Sequence, residues 1–273
     1  CIRDRVRNSD GDAKVLYSYN KNIEYHGPMI VLVNQFSASA SEIVAGALQD
    51  YGRAVIVGSE HTHGKGTVQV IMDLDKSLTL RNMSEYLPLG ALKLTTQKFY
   101  RVSGESTQYR GVIPDIILPD RSRYNEYGER YLDYSLPWDR IEEVEHKEWP
   151  PVDRAELQTR SRERVAKNED FIEIQRVADA IGERIKKTRQ SLLIDDVLRE
   201  RDDLLGVDTG PHASGLGEID ELDVEEKKQE EDQLDATERL IENVLKDVYA
   251  KESMAILADL AAQQTAVAVK KHE

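Results

Sequence analysis

The period of apolar positions changes twice near the start of this chain. Residues 29–33 form an unbroken apolar run of strand length, and after a turn at 34–36 the side chains Ile43, Val44, Ala47 and Leu48 recur at helical spacing. Residues 54–57 return to an unbroken run. The spacing predicts a strand–helix–strand unit over 29–58 with strands buried on both faces, as in the parallel sheet of an α/β domain. Glu42 falls in the first turn of that helix, where the helix dipole favours an anion. Further strands are predicted at 15–19, 67–72, 92–100 and 113–118, and the Asn-Ser-Asp-Gly-Asp run at 8–12 marks a turn.

Beyond Pro119 the pattern is different. Residues 121–153 are rich in Tyr, Arg, Glu and Pro without a period, which predicts an irregular connector. Phe171, Ile174, Val177, Ile181 and Ile185 then make the stripe of an amphipathic helix. A second stripe runs from Leu240, Val244 and Val248 toward Leu257 and Leu260, with a predicted start at 235–238. Between them, residues 205–223 hold four glycines and a proline and read as a loop or a disordered stretch. The predicted organisation is an α/β part over 1–120, a connector over 121–153, and a mainly helical domain over 154–273. The chain has no internal repeat.

Charge separates the same two parts. The 273 residues carry a net charge of −14. Residues 1–120 hold 13 basic and 13 acidic side chains, so the whole excess lies in 121–273. Such a chain lacks the basic footprint that phosphate neutralisation requires, which argues against nucleic acid and anionic lipid as partners. No stretch approaches the roughly 20 apolar residues of a transmembrane helix. Cys1 is the single cysteine, so no internal disulfide forms, and cysteine usage is silent on compartment. The chain opens without an initiator Met or a leader pattern and reads as a fragment or a processed chain.

Two segments can carry chemistry. Residues 37–43, Ser-Ala-Ser-Ala-Ser-Glu-Ile, sit between predicted strand and helix, where first-turn amides without partners can hold a developing oxyanion. A serine there is also an ordinary helix cap, but three serines cannot all be the cap. In residues 63–69, Lys65 stands between Gly64 and Gly66, so no neighbouring side chain obstructs its approach to a reacting centre. Deprotonated by burial, such a lysine is a general base toward a serine hydroxyl; in water it is a solvated lysine in a glycine turn. A phosphate loop is excluded, because five residues separate Gly58 from Gly64 and a glycine, not Ser or Thr, follows Lys65. His61 and His63 have no carboxylate or cysteine at ligand spacing and read as exposed loop histidines, with no metal site predicted. No G-x-S-x-G elbow surrounds any serine, which moves the nucleophile reading from a triad to a serine–lysine pair.

These residues carry a resemblance. GPMIVLVNQFSASASEIVAGALQDYGRAVIVGSEHTHGKGTVQ at 27–69 resembles the active-site region of the tail-specific proteases, or C-terminal processing peptidases, which are serine–lysine endopeptidases. The likeness continues through LTTQKFYRVSGESTQYRGVIPDIILPD at 94–120 and, more weakly, through SLPWD at 135–139 and the charged helical tail. It implies a ClpP/crotonase-like α/β protease core, incomplete in this chain, followed by a mainly α-helical C-terminal domain. Position by position, it implies Ser39 as nucleophile, Lys65 as general base, Gln69 as the residue orienting that lysine, and the Ala40 backbone N–H as one oxyanion donor. One departure is that the 58–66 loop is one residue longer than the usual pattern.

The resemblance further implies a preceding PDZ domain that captures apolar C-terminal tails of protein substrates. It also implies a helical domain able to take a protein adaptor, a periplasmic or otherwise exported location, and no cofactor. On this reading the chain alone holds the dyad but only part of the machinery, and is expected to be inactive or unstable by itself. The competing reading is a non-catalytic helical docking or scaffold module that binds a protein partner.

Overall fold

The charged segment Ile2–Asn8 forms a strand, β1, inside a four-stranded antiparallel sheet of order β2-β1-β6-β5. It pairs with β2 (Ala13–Tyr17) on one side and β6 (Ala91–Tyr100) on the other, and β6 pairs in turn with β5 (Thr67–Asp73). The apolar pattern missed β1 because Asp4 and Arg5 are both buried in it. The Arg5 guanidinium donates to the carbonyls of Arg101, Val102 and Glu142, so a buried charge is met by three carbonyl dipoles.

A second, parallel sheet has the order β3-β4-β7, with β3 at Ile30–Val33, β4 at Val55–Gly58 and β7 at Ile116–Ile117. Helix α1 (Ala40–Asp50) connects β3 to β4, as the apolar spacing predicts. Val33, Ala45, Ala54, Ile56 and Val112 form the core between helix and sheet, with Met29, Val31 and Leu48 packed against it. The strand predicted over 113–118 shortens to the two residues of β7. A short helix, α2 (Leu74–Ser77), follows β5.

This computed structural model describes residues 2–20, 22–77, 87–189, 191–198 and 229–270, and within the last range the side chains of 237–265. The chain divides into two compact units, Cys1–Ile117 with Glu126–Arg154, and Leu118–Asn125 with Ala155–Glu273. Most of the predicted connector therefore packs on the α/β unit. Asp139 accepts from Arg7, Lys98 and the Tyr100 hydroxyl, and the backbone amides of Ile141 and Val144 donate to Gly104 and Val102. Burial and the Asp139 hydrogen bond push the Tyr100 phenol up to about 12. These residues order a stretch that has no apolar period of its own.

The second unit is helical: α3 (Arg154–Val165), α4 (Glu169–Lys186), α5 (Gln229–Lys246) and α6 (Val248–Lys270). Leu157, Phe171, Ile174, Val177, Ile256 and Leu260 are buried in it. The 171–185 stripe lies in α4, capped by Asn168, whose Oδ1 accepts the amides of Asp170 and Phe171. The second stripe is broken into two helices, and the first begins at Gln229 rather than at 235–238. The break falls at Asp247, whose side chain accepts the Ala250 amide and caps the next helix. The loop predicted at 205–223 lies outside the described residues.

Candidate active site

The serine turn is built by short-range bonds between β3 and α1. The Asn34 amide donates to Ser37 Oγ at 3.2 Å, and the Ser37 amide donates back to the Asn34 carbonyl at 3.0 Å. Ser37 thus closes the turn. Ser39 is the residue at which the helix starts, with φ 57° and ψ −111°. A non-glycine residue held at positive φ costs on the order of 1–3 kcal/mol and marks a backbone constrained by its surroundings. Ser41 lies within the first turn of α1. The amides of Ser41 and Glu42 close turns onto Ala38 and Ser39, whereas that of Ala40, exposed at the helix start, has no partner among the described residues.

The lysine loop leads from β4 to β5. The Gly64 carbonyl accepts the Tyr109 amide at 2.7 Å, and the Gly66 carbonyl accepts the Phe99 amide at 2.9 Å. Gly66 donates to Gln108 Oε1 at 2.9 Å. Both glycines are required by close approach. Gly64 has φ +90° and a Cβ there would lie 2.9 Å from the Tyr109 carbonyl oxygen, while a Cβ at Gly66 would lie 2.3 Å from the Gln108 nitrogen. The backbone on either side of Lys65 is therefore pinned, and Lys65 Nζ has no ion-pair partner among the described residues.

One buried carboxylate joins the turn to the loop. Glu42 Oε2 accepts the backbone N–H of Ser39 at 2.8 Å and that of Lys65 at 2.9 Å. Its Oε1 accepts Gly64 N–H at 2.7 Å and the Thr62 hydroxyl. Glu42 is fully buried. Burial pushes its carboxyl above the ordinary range, while the four donors pull the other way. Thr62 extends the link, since its Oγ1 accepts the Val112 amide at 2.7 Å. The His63 amide adds a direct bond to the Ser37 carbonyl at 3.0 Å.

Of the four expected residues, Ser39 and Lys65 are thus joined by their backbones through Glu42, and Ala40 follows Ser39 in the chain. No hydrogen bond joins the Ser39 hydroxyl to Lys65 Nζ among the described residues; such bonds commonly tighten only when substrate binds. Gln69 is placed differently. It lies exposed on β5 where the register shifts between Val68 and Gln69, and its Nε2 donates to Thr95 Oγ1 at 3.4 Å rather than to any atom of Lys65. His63 is only part exposed, with a buried Nδ1, against the exposed loop position expected for it. Burial lowers its pKa, Glu129 raising it and Lys65 and His61 lowering it further. From the sequence Glu42 is a first-turn anion and no more. The Ser-x-x-Glu spacing of a capping box was the available signal, but its reach to Thr62, Gly64 and Lys65 was not visible.

Residues 122–262 match the family described as the C-terminal domain of tail specific protease, and residues 3–118 match peptidase family S41. The chain belongs to the tail-specific protease family. A tail-specific protease of Haemophilus influenzae is 41% identical over 160 residues, covering 55% of this chain and 21% of that protein. A carboxy-terminal-processing protease of Bartonella bacilliformis is 47% identical over 102 residues, covering 37% of this chain and 20% of that protein. The chain spans about a fifth of the length of these tail-specific and processing proteases. Among solved structures, a photosystem II D1 C-terminal processing protease is 30% identical with a TM-score of 0.35, covering 43% of this chain and 27% of that chain. At that score the likeness carries no argument about the fold. No helix among the described residues is long and apolar enough to cross a membrane.

Proposed function

We propose that the full-length protein is a serine endopeptidase that cleaves polypeptides near their C-termini by acyl transfer. Ser39 Oγ attacks the scissile carbonyl, and Lys65 Nζ takes the hydroxyl proton and returns it to the leaving amine. The Ala40 N–H holds the oxyanion. Gln69 orients Lys65 once it exchanges its Thr95 partner for the lysine. No cofactor enters these steps. The observation that carries the reading is the Glu42 carboxylate, which binds the backbone of the candidate nucleophile and of the candidate base with one oxygen. The strained backbone of Ser39 and the unpartnered Ala40 amide add to it.

The surrounding architecture belongs to the same proposal. The β3–α1–β4 unit, with a separate antiparallel sheet, suits a ClpP/crotonase-like core completed by sequence outside this chain. A PDZ domain in the parent protein would capture apolar C-terminal tails by strand addition. The protein would be periplasmic or otherwise exported. Leu240, Ile241, Val244 and Leu245 stand exposed along α5, which favours a helical surface for a protein adaptor.

Ser39→Ala and Lys65→Ala in the full-length protein test the chemistry. Each is expected to abolish peptide turnover, and a fluorophosphonate probe is expected to label Ser39 in the unsubstituted protein. Normal turnover by either variant would sink the dyad. Binding of protein partners without labelling would favour the scaffold reading.

A further inference from the structure

A tie between the serine turn and the lysine loop comes from a segment that belongs to neither. Tyr127 lies in the stretch without apolar period, yet its ring centroid is 4.7 Å from that of Phe36 and 5.3 Å from that of His63, meeting the histidine edge-on at 85°. Phe36 stands three residues before Ser39. His63 stands two residues before Lys65.

The backbone beside Tyr127 is hydrogen-bonded to the lysine loop. The Glu129 amide donates to the His63 carbonyl at 2.8 Å. Gln108 spans the rest: its Oε1 accepts the Gly66 amide and its Nε2 donates to Glu129 Oε1 at 2.9 Å. Gly128 lets this contact close, since a Cβ there would lie 2.8 Å from the His63 carbonyl oxygen. Residues 127–129 therefore form a strap that grips the loop on both sides of Lys65, and among the described residues its ring contact with the serine turn is that of Tyr127 on Phe36.

We propose that Tyr127 is a positioning residue for the Ser39–Lys65 pair, its ring setting the distance between the serine turn and the lysine loop. The inference rests on the dyad proposed above. Among the described residues no hydrogen bond joins Tyr127 to Ser39 or Lys65, and its effect falls on how often the two are aligned. Aromatic side chains hold such spacing well because tilted and edge-on ring contacts favour defined separations. The hydroxyl plays no part in either ring contact, so a phenylalanine does the same work.

The test uses the full-length protein, with kcat, KM and melting temperature measured for Tyr127→Ala, Tyr127→Phe and Phe36→Ala. Misplacement by about an ångström costs up to roughly 100-fold in rate, so Tyr127→Ala is expected to lower kcat by about 10- to 100-fold with KM changed less than about 2-fold. Tyr127→Phe is expected to recover most of that loss. Phe36→Ala is expected to lower kcat in the same way, and the double variant to lose less than the product of the two, because both remove one contact. An unchanged kcat in Tyr127→Ala overturns the proposal. So does a kcat loss that follows the melting temperature and is not recovered by phenylalanine. Ser39→Ala and Lys65→Ala in the same series separate the two levels. If those remain active, the dyad is at fault; if they are inactive while Tyr127→Ala is normal, only the strap fails.

Discussion

The Glu42 carboxylate accepts the backbone N–H of Lys65 at 2.9 Å, and so ties the lysine loop to the first turn of the helix that begins at Ser39. Both of its oxygens face donors only. A glutamine in this place would aim an NH2 group at two of the four donors and leave them unpaired in a dry site. Glu42→Gln is therefore expected to lower stability by about 1–3 kcal/mol and to reduce turnover more than an exposed substitution does. Chemical denaturation together with a peptide cleavage assay checks this. A variant with normal stability and normal turnover would show that the carboxylate is not what holds the two segments.

Gly66 is pressed against the Gln108 backbone, with room for a hydrogen but not for a methyl group. Gly66→Ala is expected to push the loop away from Gln108, at a cost of roughly 1–3 kcal/mol, and to displace Lys65. The same substitution at Gly90, where a Cβ would meet nothing within 4 Å, controls for a general effect of losing glycine, although its φ of +83° adds backbone strain of its own. Equal turnover loss at the two positions would contradict the packing argument.

His63 introduces a pH dependence. Burial lowers its pKa in the folded chain, while the unfolded chain keeps the ordinary value of about 6.5. The unfolded state thus binds the proton first. The contribution of His63 is present above about pH 6.5 and is lost as pH falls through the lower folded value. His63→Phe keeps an aromatic edge toward Tyr127 and removes the titration, so its melting temperature is expected to fall less between neutral and mildly acid pH. Identical pH profiles for the two proteins would rule this out.

In the helical unit, Arg164 joins α3 to α6. Its Nε and Nη2 reach both oxygens of Glu252, and its Nη1 donates to Asp259 at 2.8 Å. Glu252 is buried. Arg164→Ala leaves the buried Glu252 carboxylate without its arginine and Asp259 with Arg160 alone, and is expected to destabilise this unit by about 1–3 kcal/mol. Arg164→Lys is expected to recover only part, since an ammonium cannot make the forked contact. Urea unfolding followed by far-UV circular dichroism measures both, and full recovery by lysine would remove the fork from the explanation.

The strand–helix–strand unit over 29–58 was legible because each element carries a period that depends only on neighbours in sequence. The same is true of the α4 stripe. Strand β1 was hidden, because its buried Arg5 is acceptable only where the carbonyls of Arg101, Val102 and Glu142 converge. Asp247 starts α6 by a local cap inside a continuous apolar stripe, so periodicity alone runs through the break before it. Residues 126–154 carry no apolar period, since their order comes from contacts such as Asp139 with Arg7 and Lys98, made across long sequence separations.

By itself the sequence determined the chemistry on offer: a serine run at a helix start, a lysine between glycines, a charge excess confined to the helical part, and the family likeness those motifs carry. Only the tertiary structure decided which serine is held in a strained turn, why both glycines must be glycine, and that Glu42 and Tyr127 each touch both segments. The reason is physical. Side-chain type and short-range period are written locally, whereas a buried carboxylate's four donors and a ring's two neighbours exist only once distant strands and loops have packed.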